Sequence, residues 1–210
     1  MNLSTEHAFW IVYIFLTYLF CSIPFGKIIS RKVADIDITQ RGSRNIGATN
    51  VARELGFKWG MFTLVFDTLK GFVPITLFNF SFPNFAVGGS IIGLASLLGH
   101  QFSIYQRFRG GKGVATALGI YLALSPFNCL IAVVFFILLV YVSDFISLGS
   151  ILSVSLMPFL LLLSGESRTA VTTSLLVAAL ICVKHKDNIQ RLREGKERRW
   201  RKKEPNSPRS

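Results

Sequence analysis

Long apolar runs, interrupted by short polar segments, extend along nearly the whole chain. Their lengths and the turn residues between them predict seven apolar helices, at about 8–30, 57–79, 85–102, 114–124, 127–143, 147–164 and 169–186. Ser81-Phe82-Pro83-Asn84 ends the second, and Ser125-Pro126 breaks the fourth from the fifth. A polar segment covers 31–55, a glycine-rich loop covers 107–113, and a basic tail follows the last helix. No strand pattern competes, so the expected class is all-α: a polytopic membrane helix bundle. Residues 1–190 form one integral membrane domain, and 191–210 a basic cytoplasmic tail, disordered in part beyond Lys203.

Charge tests that count. Seven crossings leave the two termini on opposite sides. The segments 26–58 and 107–112 and the tail then share one face, and that face holds 21 of the 23 Lys and Arg residues. Basic residues mark the cytoplasmic side, so the N-terminus is expected outside and the C-terminus in the cytoplasm. The net charge of +12 therefore reflects loops between membrane helices and a tail suited to anionic lipid headgroups. It does not indicate nucleic-acid binding. With 51% hydrophobic and 16% charged residues, the chain is poor in charge for a soluble domain. The first apolar run has no basic residues before it, so it reads as a membrane helix and not a cleaved signal. Cys21, Cys129 and Cys182 lie scattered in apolar sequence and read as packed hydrophobes.

Three polar constellations fall on the basic face. In the first, Gly42–Arg53, small residues, hydroxyls and amides (Ser43, Asn45, Thr49, Asn50) are combined with Arg44 and Arg53. Such groups bind a phosphate and a polyol together. The second, Arg109-Gly110-Gly111-Lys112-Gly113-Val114-Ala115-Thr116, precedes an apolar helix. Glycines let backbone N–H groups approach an anion, the helix start adds more, and Arg109 and Lys112 add full charges. In the third, His185 and Asn188 are three apart and share a helix face. Asp67 and Lys70, also three apart, lie within an apolar helix and are expected to pair there.

Several chemistries have no signature. There is no Gly-x-x-x-x-Gly-Lys-Ser/Thr loop, no Gly-x-Ser-x-Gly elbow, no His-x-x-x-x-Asp dyad and no metal-ligand cluster.

With Cys21-Ser22-Ile23-Pro24-Phe25-Gly26, Asp67-Thr68-Leu69-Lys70-Gly71, Gly99-His100-Gln101-Phe102-Ser103 and Ser147-Leu148-Gly149-Ser150-Ile151, these constellations form an ordered set spanning nearly the whole chain. The set closely resembles the bacterial acyl-phosphate:glycerol-3-phosphate acyltransferase family, PlsY. The resemblance implies a seven-helix enzyme of the bacterial inner membrane with its site facing the cytoplasm. It would move an acyl group from acyl phosphate to the sn-1 hydroxyl of glycerol-3-phosphate, giving lysophosphatidic acid and phosphate for phospholipid synthesis. No prosthetic group or metal is implied, and neither acyl-CoA nor acyl carrier protein serves as donor. By motif position Ser43, Arg53, Lys112, His185 and Asn188 would be catalytic. Asn45, Thr49, Asn50, Arg109, Gly110, Gly111, Gly113, Thr116 and Ser150 would bind substrate, with the glycine-rich loop holding glycerol-3-phosphate. Two positions depart from the family pattern, Arg44 and Asp187, and Glu197 matches a glutamate to which a structural role is assigned.

The competing reading is a membrane transporter of a phosphorylated solute. That function places its site near the bilayer midplane, whereas the three constellations here belong to one face. The sequence leaves acyl-chain preference and oligomeric state open.

Overall fold

The computed structural model describes residues 3–83, 85 and 87–201, with side chains from residue 9 onward. All regular structure among them is helical. In chain order the α-helices are α1 (Leu3–Cys21), α2 (Phe25–Ala34), α3 (Ala48–Leu55), α4 (Phe57–Ser81), α5 (Gly88–Gln101), α6 (Val114–Leu124), α7 (Pro126–Ser143), α8 (Ile146–Leu163), α9 (Arg168–Lys184) and α10 (Lys186–Arg193).

Six of the seven expected helices appear within a few residues of their expected bounds. The first does not: the run at 8–30 is two helices, broken at Ser22-Ile23-Pro24. Pro24 has no N–H to continue the ladder and disfavours helical geometry in Ile23. Tertiary bonds hold the break in place. Ser22 Oγ donates to the Gly99 carbonyl, and the Ser22 carbonyl accepts from Ser103 Oγ. The polar segment 31–55 also contains more structure than expected, namely α3 and a 3-10 turn at Ile38–Gln40.

Among the described residues, four helical stretches are long and apolar enough to cross a membrane, Phe9–Ala34, Phe57–Ser81, Pro126–Ser143 and Ile146–Leu163. A fifth is reached if α9 and α10, bent by 62° between them, count as one span. The 14 residues of α5 and the 11 of α6 are short for a crossing, which takes about 20. The outer faces remain apolar, with Phe80, Val142 and Leu163 among the most exposed side chains.

The main core lies between α4, α5, α6, α8 and α9, around Ile75, Phe78, Leu97, Ile120, Met157 and Ile181. The α4–α6 crossing is set by two glycines: a Cβ on Gly119 would overlap the Thr68 carbonyl, and one on Gly71 the Thr116 carbonyl. Backbone rests on backbone there, with no flexible side chain able to yield. Gly119→Leu is therefore expected to destabilise the bundle by about 1–3 kcal/mol or more. Thermal unfolding in detergent checks this, and an unchanged midpoint would show that the crossing is not a close contact.

A second, smaller core of Ile38, Ile46 and Val51, with Leu55 and Trp59 against it, supports the 37–55 segment. The expected domain limit at 190/191 falls inside α10. Residues 191–201 continue from the bundle and pack back on it, while 202–210 lie outside the described residues.

Candidate active site

One end of the bundle holds a cavity of about 380 Å³, bounded by the 42–53 segment, the start of α6, the α9–α10 bend and the start of α8. It gathers Ser43, Asn45, Thr49, Asn50, Arg53, Lys112, Gly113, Ser150, His185 and Asn188. All five expected catalytic residues are thus on one wall system. Leu64, Val114, Ala115, Phe136 and Ile146 give the same cavity an apolar side.

The 42–53 segment is built around Asn50, which is 2% exposed. Its Nδ2 donates to the carbonyls of Ile38, Arg41 and Asn45, and its Oδ1 accepts from the Ser43 N–H at 2.9 Å. Both polar atoms of this amide are thus engaged by the loop, and Asn50 holds the Ser43 backbone at the cavity edge. Asn45 Oδ1 likewise accepts from the Gly47 N–H at 2.8 Å. Gly42 has φ +54°, and a Cβ there would collide with Asn50 Oδ1 and Glu54 Oε1. Ser43 Oγ has no histidine or carboxylate hydrogen-bonded to it among the described residues, so it lacks the adjacent base of an activated nucleophile.

The glycine-rich loop departs from expectation. The Gly110 N–H donates to the Gln101 carbonyl at 3.1 Å and the Gly111 N–H to the His100 carbonyl at 3.2 Å. A Cβ on Gly110 would strike the His100 carbonyl oxygen, and one on Gly111 would strike the His100 ring. These two glycines let the loop lie flat on the end of α5, and their N–H groups are not turned to an anion. Arg109 is exposed and Thr116 is buried at the α4–α6 crossing, so neither lines the cavity. The backbone that does border the cavity is one turn further on. Gly113, at φ +87°, opens α6, and Val114 and Ala115 in its first turn border the cavity. First-turn N–H groups have no acceptor within their own helix and carry the positive end of its dipole.

Lys112 is held from both ends. Gln101 Nε2 donates to its carbonyl at 2.8 Å, and its Nζ donates to Asn188 Oδ1. Burial pulls the Lys112 ammonium down to about 8, with smaller opposing effects from Glu197 and Asp187 and reinforcing ones from Arg191 and Arg53. Asn188 Nδ2 donates to Glu197 Oε1 at 2.6 Å. Burial pushes the Glu197 carboxyl up, but hydrogen bonds from Asn188, Ser147 and Arg191 together outweigh it and leave it below its ordinary value. His185 is 3% exposed, and its Nδ1 lies 2.8 Å from the Ile181 carbonyl. A carbonyl has no proton to give, so Nδ1 carries the hydrogen and Nε2 is the ring's acceptor.

The inner wall includes Asp67 and His100. Asp67 Oδ1 pairs with Lys70 Nζ at 2.9 Å, as its spacing predicts, and stands 3.8 Å from His100 Nδ1. Ser147, Arg191, Glu197 and Arg198 also border the cavity but were not expected as site residues. The signals for Asp67 and His100 were polar residues inside apolar helices. Arg191 and Arg198 were hidden within an evenly basic tail. No three His, Cys, Asp or Glu side chains among the described residues gather as a metal site.

The model of the glycerol-3-phosphate acyltransferase family matches residues 11–195. The chain belongs to that family. A glycerol-3-phosphate acyltransferase of Desulfotalea psychrophila is 45% identical over 191 residues, covering 90% of this chain and 96% of the relative. One of Geobacter sulfurreducens is 43% identical over 189 residues, covering 89% and 95%. Among solved structures, PlsY (YgiH), an integral membrane glycerol 3-phosphate acyltransferase, matches in its glycerol 3-phosphate form with a TM-score of 0.87 at 36% identity, covering 90% of this chain and 94% of that one. Its lysophosphatidic acid form matches with a TM-score of 0.85. The match contains the cavity residues from Gly42 to Arg191, while Glu197 and Arg198 lie just past its end.

Proposed function

We propose that the enzyme transfers an acyl group from acyl phosphate to the sn-1 hydroxyl of glycerol-3-phosphate, at the cytoplasmic end of a seven-span bundle in the bacterial inner membrane. The observation that carries this reading is the convergence of Arg53, Lys112, His185 and Asn188 on a cavity with one cationic side and one apolar side. Two anionic substrates repel each other, and the cations offset that repulsion. Orienting the two substrates then supplies much of the rate.

The hydroxyl oxygen attacks the acyl carbonyl carbon, the bond from that carbon to the phosphate oxygen breaks, and the departing phosphate takes the hydroxyl proton. An ester and hydrogen phosphate result. Lys112 and the first-turn N–H groups of α6 stabilise charge on the leaving phosphate. His185 Nε2 accepts from a glycerol hydroxyl and Ser43 binds a phosphate oxygen. The apolar wall at Leu64, Phe136 and Ile146 leads the acyl chain toward the bilayer. The orientation rests on the basic segments sharing one face, with α5 and α6 as the two short spans.

The test is purified protein with acyl phosphate and glycerol-3-phosphate, without coenzyme A or carrier protein. Lysophosphatidate and phosphate in equal amounts support the reading. Solute flux into vesicles without product would replace it with the transporter.

The Lys112 ammonium predicts a pH profile. With this group at about 8 in the free enzyme, kcat/KM should hold level just below that pH and fall about tenfold per unit above it, as the cation is lost. Lys112→Arg should move that limb to higher pH. A flat profile to pH 10 would remove Lys112 from substrate binding.

A further inference from the structure

The sequence places Arg109 among the phosphate ligands, yet the fold leaves it exposed and outside the cavity. It ends the segment 102–109, which has two arginines and no acidic residue. Ile104, Tyr105 and Phe108 are 45%, 55% and 59% exposed, and Arg107 is exposed beside them. The backbone turns these side chains outward in a costly conformation. Arg107 and Phe108 have φ +51° and +62°, a left-handed region that bulky residues rarely adopt. Bonds within the loop fix it: the Phe108 N–H donates to the Ser103 carbonyl at 2.8 Å, and the Arg109 N–H to the Gln106 carbonyl at 3.0 Å. Strain held in place in this way points to a functional segment.

Contacts with α1 and α2 set the level of this loop in the bundle. Tyr18 Oη donates to the Phe102 carbonyl at 2.6 Å, Ser103 Oγ to the Ser22 carbonyl, and Lys27 Nζ to Gln106 Oε1 at 3.4 Å. The loop thus lies against the α1–α2 break, and Lys27 is the first Lys or Arg of the chain. The first cation after an apolar span marks where hydrocarbon gives way to headgroups, and aromatic side chains gather at that level. We propose that 102–109 docks on the bilayer at the cavity end of the bundle. Ile104, Tyr105 and Phe108 enter the edge of the acyl layer, and Arg107 and Arg109 bind the phosphate groups of anionic lipids. An apolar patch alone would suit neutral lipid or another protein. Two arginines with no carboxylate in the same eight residues favour an anionic headgroup. Three arginines of the tail are engaged on the bundle instead: Arg191 pairs with Glu197, and Arg199 and Arg201 cover the rings of Phe145 and Tyr141. The loop runs directly into Gly110, Gly111 and Lys112. Lys184, which precedes His185, donates to the Gln101 carbonyl at 2.8 Å and covers the Phe102 ring. Docking therefore joins the lipid surface to the backbone of two site residues.

The experiment uses the full chain in vesicles, with Tyr105→Trp as a fluorescent reporter read as the change from the wild type and its three tryptophans. Lipids brominated on the acyl chain quench a tryptophan that they touch. Brominated phosphatidylglycerol and brominated phosphatidylcholine are each titrated against the other lipid without bromine. Both should quench the reporter, with the anionic lipid bound roughly fivefold more tightly, the weight of about one arginine near a lipid surface. Arg107→Gln together with Arg109→Gln should bring that ratio close to one. So should about 1 M salt, where the screening length falls to about 3 Å. A reporter that neither lipid quenches overturns the proposal and assigns the patch to a protein partner. A ratio below twofold, or one that the double substitution leaves unchanged, overturns the binding of anionic headgroups. If the double variant does not fold, Arg109→Gln alone gives the same reading at smaller size. Quenching needs no turnover, so its outcome is independent of the acyl transfer proposed above.

Discussion

Lys112→Ala is expected to lower kcat/KM by about a thousandfold, the scale seen when a preorganised charge stabiliser is removed, while the protein stays folded. The backbone at Lys112 is held by Gln101 Nε2 on its carbonyl and by the Gly110 and Gly111 N–H bonds before it, none of which uses the lysine side chain. What the substitution removes is a half-buried ammonium that spans from the start of α6 to Asn188. In a site partly closed to water such a charge acts strongly on a departing phosphate, since little solvent screens it. Lys112→Arg keeps the charge but changes its shape, so only partial recovery is expected. Steady-state kinetics with an unfolding midpoint as control make the measurement. A loss smaller than tenfold would place the transition-state charge elsewhere.

Asp67→Ala should be the most destabilising of the single polar truncations, at about 3–5 kcal/mol. Lys70 is 1% exposed inside α4, and Asp67 Oδ1 at 2.9 Å is its carboxylate partner. Removing Asp67 leaves a buried ammonium with the Phe25 ring beneath it and the His100 ring nearby, and neither replaces a carboxylate. Asp67→Leu with Lys70→Leu removes both charges and should recover much of the stability, because neither ion then remains uncompensated. Thermal unfolding of both variants in the same detergent tests this. If the single variant unfolds no earlier than the double, the pair is not what holds α4 in place. Asp67 also borders the cavity, so stability and not turnover is the proper measure.

How far the sequence reached differs from residue to residue. The Asp67–Lys70 pair was legible because two opposite charges three apart in an apolar helix have few alternatives to pairing. Lys112, His185 and Asn188 were legible because each stands where a membrane helix begins or ends. Asn50 was misread. An amide in a loop rich in hydroxyls suits a substrate as well as a backbone, and only the positions of the Ile38, Arg41 and Asn45 carbonyls decide between them. Gly110 and Gly111 were misread for a similar reason. Glycine marks close approach but does not say to what, and here it is the end of α5. The break at Ser22–Pro24 was signalled by proline and passed over because the flanking residues remain apolar.

By itself the sequence determined an all-helical membrane protein, most of its helix limits, the family and five candidate residues that the fold brings to one cavity. These follow from local properties: apolar run length, breakers, and the ordered spacing of polar motifs. Only the tertiary structure decided which N–H groups are left for an anion, which amides serve the loop, and that a stretch of basic tail returns to close the cavity. Those outcomes depend on contacts between residues distant in the chain, such as Arg53 with Arg198 and Asp144 with Trp200. A hydrogen bond or a charge is available to a substrate only after every closer partner in the fold has been satisfied.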